Sequence, residues 1–109
     1  MAFKCTEPAI PTVQQEDATM RVTRWEFAPG AATGWHKHAY PYVVVLLTDA
    51  VMTIEAADGA VSEVRLKAGD CYRRPDGVEH DVMNGSDQRM AFIEIEIKWP
   101  EELGKAPSL

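Results

Sequence analysis

The chain has three histidines in 109 residues, and two of them are separated by a single lysine. His36 and His38 close the run Gly30-Ala-Ala-Thr-Gly-Trp-His-Lys-His38, while His80 follows a Pro75-Asp-Gly77 turn signal and precedes Asn84. Side chains two apart on a strand project from one face, so His36 and His38 can converge on a single ion. The third ligand must then come from another strand, and His80 supplies it. Imidazole donors suit zinc, iron, nickel and copper, so the chemistry expected of this set is that of a divalent metal centre.

The elements that must position these ligands read as short strands. Residues 20–27 place Trp25 and Phe27 on one face and Arg24 and Glu26 on the other, before Pro29-Gly30 breaks the run. Residues 42–48 form a β-branched and aliphatic stretch of the kind covered on both faces. Residues 51–57 alternate, Asp58-Gly59 signals a two-residue hairpin, and 60–66 return. Residues 71–74 and 80–84 are short strands on either side of the Pro75-Asp-Gly77 turn, and 90–99 form a last long strand with Ala91, Ile93, Ile95 and Ile97 on one face. No segment has a helical period. This punctuation predicts an all-β fold closed as a jelly-roll barrel.

No repeat or internal linker is visible, so the expectation is one domain: an N-terminal segment 1–17, a barrel 18–99 and a tail 100–109. The polar, proline-marked ends are expected to be loosely ordered or packed against a partner. A chain of this length can bury a core without a metal to hold it together, so the ion is expected to be functional. The formal charge of -6 argues against a nucleic-acid binder, which would show a basic stripe. No apolar run is long enough to cross a bilayer and no leader-like segment opens the chain, which points to a cytoplasmic protein. Cys5 and Cys71 lack CxxC spacing and fit a reducing compartment, with Cys71 read as a small buried hydrophobe.

Taken together, these residues resemble the cupin superfamily. Its first motif, G-x5-H-x-H-x3or4-E-x6-G, is matched by Gly30, His36 and His38; its second, G-x5-P-x-G-x2-H-x3-N, is matched by Gly69, Pro75, Gly77, His80 and Asn84. The two motifs span about half of the chain. The resemblance implies a small double-stranded β-helix barrel with His36, His38 and His80 holding a divalent metal inside. The run 23–36, with Tyr42 and the valines after it, is also similar to small single-domain cupins named for β-alanine degradation, a label that names a pathway and not a reaction.

The chain departs from the motif where the glutamate should fall, at Tyr42 or Val43, and where the following glycine should fall, at Asp49 or Ala50. Without that carboxylate the site is a neutral three-histidine set, which leaves the ion its full charge and more open positions. Iron(II) is the favoured metal, because open positions admit a bidentate substrate beside dioxygen, as in the cupin thiol and diketone dioxygenases that lack the glutamate. Zinc, nickel and manganese are the alternatives, with non-redox chemistry. The leading expectation is a metal-dependent enzyme of small-molecule metabolism; the competing one is a small-ligand binder or sensor without turnover.

Other residues carry two readings each. Tyr42 faces inward if the parity of His36 and His38 continues, where its phenol can act as an acid or hydrogen-bond a bound ligand; otherwise it is a core aromatic. One of Arg73 and Arg74 should face the pocket and bind a substrate carboxylate, unless both lie on the rim. Trp35 and Trp25 are large enough to wall a pocket or to fill the core. Glu94 and Glu96 can replace the missing carboxylate but are expected to be solvated, Glu79 is out of phase with the metal, and Asn84 is read as a strand-end staple. The apolar run 42–47 and the isoleucine face suggest a homodimer.

Overall fold

The computed structural model describes residues 7–98, so Cys5, the end of the last expected strand at Trp99 and the tail 100–109 lie outside the described residues. All regular structure within that range is β. The strands are β1 (Ile10–Glu16), β2 (Met20–Phe27), β3 (His36–Lys37), β4 (Tyr42–Leu46), β5 (Ala50–Ala56), β6 (Val61–Leu66), β7 (Cys71–Arg74), β8 (Glu79–Asn84) and β9 (Met90–Ile97). They form two antiparallel sheets, ordered β1-β2-β9-β4-β7 and β3-β8-β5-β6. The order follows no simple meander: β9 inserts between β2 and β4, and β8 between β3 and β5, which is the jelly-roll interleaving of the expected barrel.

The core lies between the sheets and is built from the inward parity of each strand. Phe27 of β2, Tyr42, Val44 and Leu46 of β4, Met52 of β5, Val82 of β8 and Met90 and Phe92 of β9 are all buried. Phe27 and Phe92 pack with ring centroids 5.4 Å apart, which joins neighbouring strands across the cluster. Asn84 ends β8 as a staple: its Nδ2 donates to the Gln88 carbonyl at 2.7 Å, and its Oδ1 accepts from Ser86 N at 3.0 Å and Ser86 Oγ at 2.8 Å. The strand-end reading of Asn84 therefore holds.

Four expectations are corrected. Residues 10–16, placed in the loosely ordered N-terminal segment, form an edge strand paired to β2, with a bulge between Val13 and Gln15. Pairing to an edge satisfies the backbone of a segment whose side chains are all exposed, so hydrophobic pattern gave no warning. The β5–β6 connection takes three residues, 57–59: Gly59 N donates to Ala56 O, Ala56 N to Ala60 O, and Gly59 sits at φ 84°. That is a tight turn followed by a left-handed residue, the usual three-residue solution. Cys71 is exposed, because Tyr72 and Arg74 take the inward positions of edge strand β7.

The fourth correction bears on function. On β9 the interior is faced by Met90, Phe92, Glu94 and Glu96, while Ile93, Ile95 and Ile97 stand half-buried on the outer face of the five-stranded sheet. Glu94 and Glu96 are only 8% and 7% exposed, so neither is solvated as expected.

Candidate metal centre

His36 lies directly opposite His80 in the β3–β8 register, so the third imidazole arrives from the neighbouring antiparallel strand. His38 follows just beyond β3 and is held by the second turn: His38 N donates to Val78 O at 2.8 Å, and Gly77 N donates to His38 O at 2.8 Å. Gly77, at φ 86°, allows the Pro75-Asp76 turn to fold back onto that backbone. The turn thus fixes His38 as well as aiming His80.

The three rings meet at their Nε2 atoms. His36 Nε2 and His38 Nε2 are 3.0 Å apart, and His38 Nε2 and His80 Nε2 are 3.2 Å apart. Nitrogens held about 2.1 Å from one ion and subtending roughly 90–110° stand about 3.0–3.4 Å apart, so the set fits three ligands on one face of a single metal. His36 Nδ1–H donates to Gly34 O at 2.8 Å, which leaves its Nε2 lone pair facing the other two rings. Gly34 is itself held by Asp81, whose Oδ1 accepts Gly34 N–H at 3.1 Å. His38 stacks on Tyr42 with centroids 3.8 Å apart and an interplanar angle of 19°. Two of the three rings, His36 and His38, are therefore oriented by a partner behind them, the kind of support that metal-ligating histidines use.

Burial pushes the pKa of His38 down to about 4 and that of His80 to about 3, with His36 adding to both shifts through its charge. Both rings stay neutral, and so available to a metal, well into the acid range. Glu94 behaves oppositely: burial and the Glu96 carboxylate beside it raise its pKa to about 7. The Trp25 indole draws that carboxyl part of the way back. Its N–H nevertheless falls short of hydrogen-bonding geometry, and among the described residues Trp25 Nε1 is the one buried side-chain polar atom without a partner. Glu96 is neutralised in place, accepting from Arg21 Nε at 2.7 Å and Arg21 Nη2 at 3.0 Å.

These shifts predict how the metal-free protein responds to pH. Between about 4.5 and 6.5 the unfolded chain protonates the two buried histidines, which the folded chain does not, while the folded chain keeps a proton on Glu94 that the unfolded chain releases. Net, the unfolded state holds about one extra proton, so stability rises with pH by about 1.4 kcal/mol per unit. In Glu94→Gln the opposing proton is gone and the slope should roughly double. Urea unfolding of chelator-treated protein across this window checks it; equal slopes in the two proteins would show that Glu94 is not held protonated.

Four cavities adjoin the triad, one of them an open groove of about 480 Å³ that reaches His80 from Val78, Glu79 and Arg74; the other three bear on the site. A chamber of about 20 Å³ is lined by Trp25, Thr33, His36, Tyr42, His80 and Glu94, among others. An open mouth of about 260 Å³ is bordered by His36, His38, Arg21, Lys37, Glu94 and Glu96. On the other side an apolar slot of about 180 Å³ runs between Met52, Ile54, Val64, Leu66 and Tyr72 to Tyr42, His80 and Arg74. Tyr42 is thus inward and buried, with its hydroxyl pKa raised by burial. Of the two arginines, Arg74 shares Tyr42's face and borders the slot, whereas Arg73 pairs with Val43 on the outer face. Trp35 is 38% exposed, donates to Glu79 Oε2 at 3.2 Å, and lines none of the three cavities, because the turn around Gly34 carries it to the rim. Trp25 walls the chamber instead. Glu79 faces away beside Lys37, as its phase implied. Pattern named Glu94 and Glu96 but placed them in solvent, and it missed Arg21. The signal available was the parity of Phe92, which shares a face with both glutamates.

Comparison with known proteins agrees with this architecture. The β-alanine degradation protein BauB of Pseudomonas aeruginosa is 49% identical over 90 residues, covering 83% of this chain and 94% of that protein. A crystal structure of a cupin domain from Bordetella pertussis superposes with a TM-score of 0.82 at 46% identity, covering 86% of this chain and 97% of the other. A double-stranded β-helix protein from Methanocaldococcus jannaschii shares the fold at 13% identity, with a TM-score of 0.71 over 94% of this chain and 92% of the other. The cupin domain family matches residues 23–96, a span that contains all three histidines, Glu94 and Glu96, and the chain belongs to that family.

Proposed function

We propose that the protein is a metal-dependent enzyme of small-molecule metabolism in which His36, His38 and His80 hold one divalent ion, iron(II) being the favoured metal and dioxygenase chemistry the favoured reaction. The observation that carries this reading is the convergence of the three Nε2 atoms at 3.0 and 3.2 Å. Such an ion supplies open positions for a substrate donor atom and for dioxygen. Asp81 and Gly34 orient His36, Tyr42 buttresses His38, and the apolar slot receives the substrate body. Arg74 at the edge of that slot suits a carboxylate on the substrate. The slot is close in size to engineered apolar cavities of about 150 Å³ that accept benzene, which limits the buried part of a substrate to a few heavy atoms. BauB is named for β-alanine degradation, and a role in breaking down a small acid is consistent with the slot and Arg74.

The first measurement is metal content by mass spectrometry on untagged protein purified without oxygen or chelator. Near-stoichiometric iron supports the reading and directs screening of thiols and diketones for oxygen uptake. Stoichiometric zinc, nickel or manganese moves it to non-redox chemistry, and absence of metal removes it. We also propose a homodimer through the outer face of the five-stranded sheet, where Val43, Val45, Ile93, Ile95 and Ile97 form an apolar band half-exposed in one chain. A monomer by light scattering at micromolar concentration would reject that arrangement.

A further inference from the structure

Where the motif places a glutamate the chain has Tyr42, yet the interior is not short of carboxylates. Tyr42 and Val44 of β4 face Glu96 and Glu94 of β9 directly across the strand pair. Both glutamates are buried, and each brings a carboxylate oxygen within 4.8 Å of a ring nitrogen of His38. The two differ in what holds them. Glu96 has both oxygens taken by the Arg21 guanidinium. Glu94 has no ion pair among the described residues and borders the small chamber shared by His36, His80 and Tyr42.

Glu94 does not stand where a ligand of the same ion would. Donor atoms on one ion lie at most about 4.2 Å apart, twice a typical metal–ligand distance. Within 4.8 Å the Glu94 carboxylate groups with His38 and Glu96 and not with the full histidine set. It is set back from the triad, and the chamber's 20 Å³ is room for about one water-sized molecule. Trp25 also lines the chamber, and its buried Nε1–H, near enough to Glu94 to act on that carboxyl, meets no acceptor at hydrogen-bonding geometry among the described residues. A buried donor without a partner is costly, and a small ligand in the chamber would supply the missing acceptor.

We infer that Glu94 and Trp25 form a ligand-holding pair supplied by β9 and β2, which grips whatever small molecule or substrate atom occupies the open side of the histidine triad. Trp25 Nε1–H donates to that ligand and the Glu94 carboxylate accepts from it, so the pair favours a ligand with both a lone pair and a proton, such as water or a substrate hydroxyl, over a bare anion. A carboxylate absent from the motif position on β4 is thereby supplied by the neighbouring strand β9, across the chamber from His36 and His80. This inference rests on the metal-centre reading above.

The test uses cobalt(II) as a visible probe of the site and azide as a small anion. Wild type, Glu94→Gln and Trp25→Phe are loaded with cobalt(II) at pH 8 and titrated with azide, following the visible absorption. All three are expected to take up one equivalent of cobalt with affinities within about threefold. Removing the carboxylate's negative charge should tighten azide binding about tenfold in Glu94→Gln, and removing the donor should weaken it severalfold in Trp25→Phe. Loss of cobalt from Glu94→Gln would overturn the inference by making Glu94 a direct ligand. Azide affinities within twofold of wild type in both variants would overturn it by making the pair structural. Failure of the wild type itself to bind cobalt would instead remove the metal-centre reading.

Discussion

His80→Ala is expected to lower metal affinity by about a hundred- to a thousandfold while leaving the barrel folded. Structural zinc sites with four ligands bind with about 10–16 kcal/mol, roughly 3–4 kcal/mol per donor, and two or three powers of ten follow from deleting one. The surviving pair, His36 and His38, still meet at 3.0 Å, but their complement from β8 is gone and nothing else on that face brings an imidazole. Fold should survive because the substitution removes a buried neutral ring and leaves the β3–β8 and β5–β8 backbone registers untouched. A chelator competition measures the affinity. A thermal melt separates the two effects: metal should raise the melting temperature of wild type and hardly move that of the variant, since a ligand stabilises only through the native state it binds. Lys37→Ala, an exposed change between two ligands, should behave as wild type. Equal metal uptake by His80→Ala and wild type would remove His80 from the centre.

Why the histidine cluster was legible and its surroundings were not can be traced to particular residues. His36, His38 and His80 are rare types at motif spacing, and strand parity alone fixes that the first two share a face. Strands β2 and β7 carried the same kind of information: their boundaries match the expected 20–27 and 71–74, and Tyr72 facing inward puts the exposed Arg74 at the border of the slot and Arg73 on the outer face. Parity failed on β9 because the alternation Ile-Glu-Ile-Glu-Ile has two solutions, and the ordinary preference for apolar burial picks the wrong one. What inverts it is the far end of the strand, where Met90 and Phe92 enter the core and commit Glu94 and Glu96 to the same face. Period two leaves no way to bury both sets. Strand β1 was hidden for a different reason: it sits on the sheet edge with every side chain exposed, so backbone pairing holds it and pattern does not.

The same inversion makes Arg21 a critical residue. Arg21→Met is expected to destabilise the protein by about 2–4 kcal/mol at neutral pH, because it strands a buried carboxylate. Arg21 faces Glu96 in the β2–β9 register and binds it through both oxygens, at 2.7 and 3.0 Å. Met fills similar volume and supplies no charge. Glu96 would then share the interior with Glu94, two buried carboxyls on one face with no cation between them. Against a total stability of about 5–15 kcal/mol, the melting temperature should fall by roughly ten degrees or more. The rival outcome follows from the guanidinium being 33% exposed: if water already screens the pair, the loss stays below about 0.5 kcal/mol. Arg21→Met combined with Glu96→Met discriminates further, since replacing both partners by apolar side chains should restore most of the lost stability, whereas independent contributions would simply add. The metal response carries the functional half of the prediction. Unmasking a carboxylate within 4.8 Å of a His38 ring nitrogen makes the centre more negative, so Arg21→Met should bind a divalent cation several times more tightly than wild type and recover part of its stability when loaded. A variant both destabilised and weaker in metal binding would mean that Arg21 serves the site by holding the β2–β9 strand pair in shape, not by neutralising Glu96.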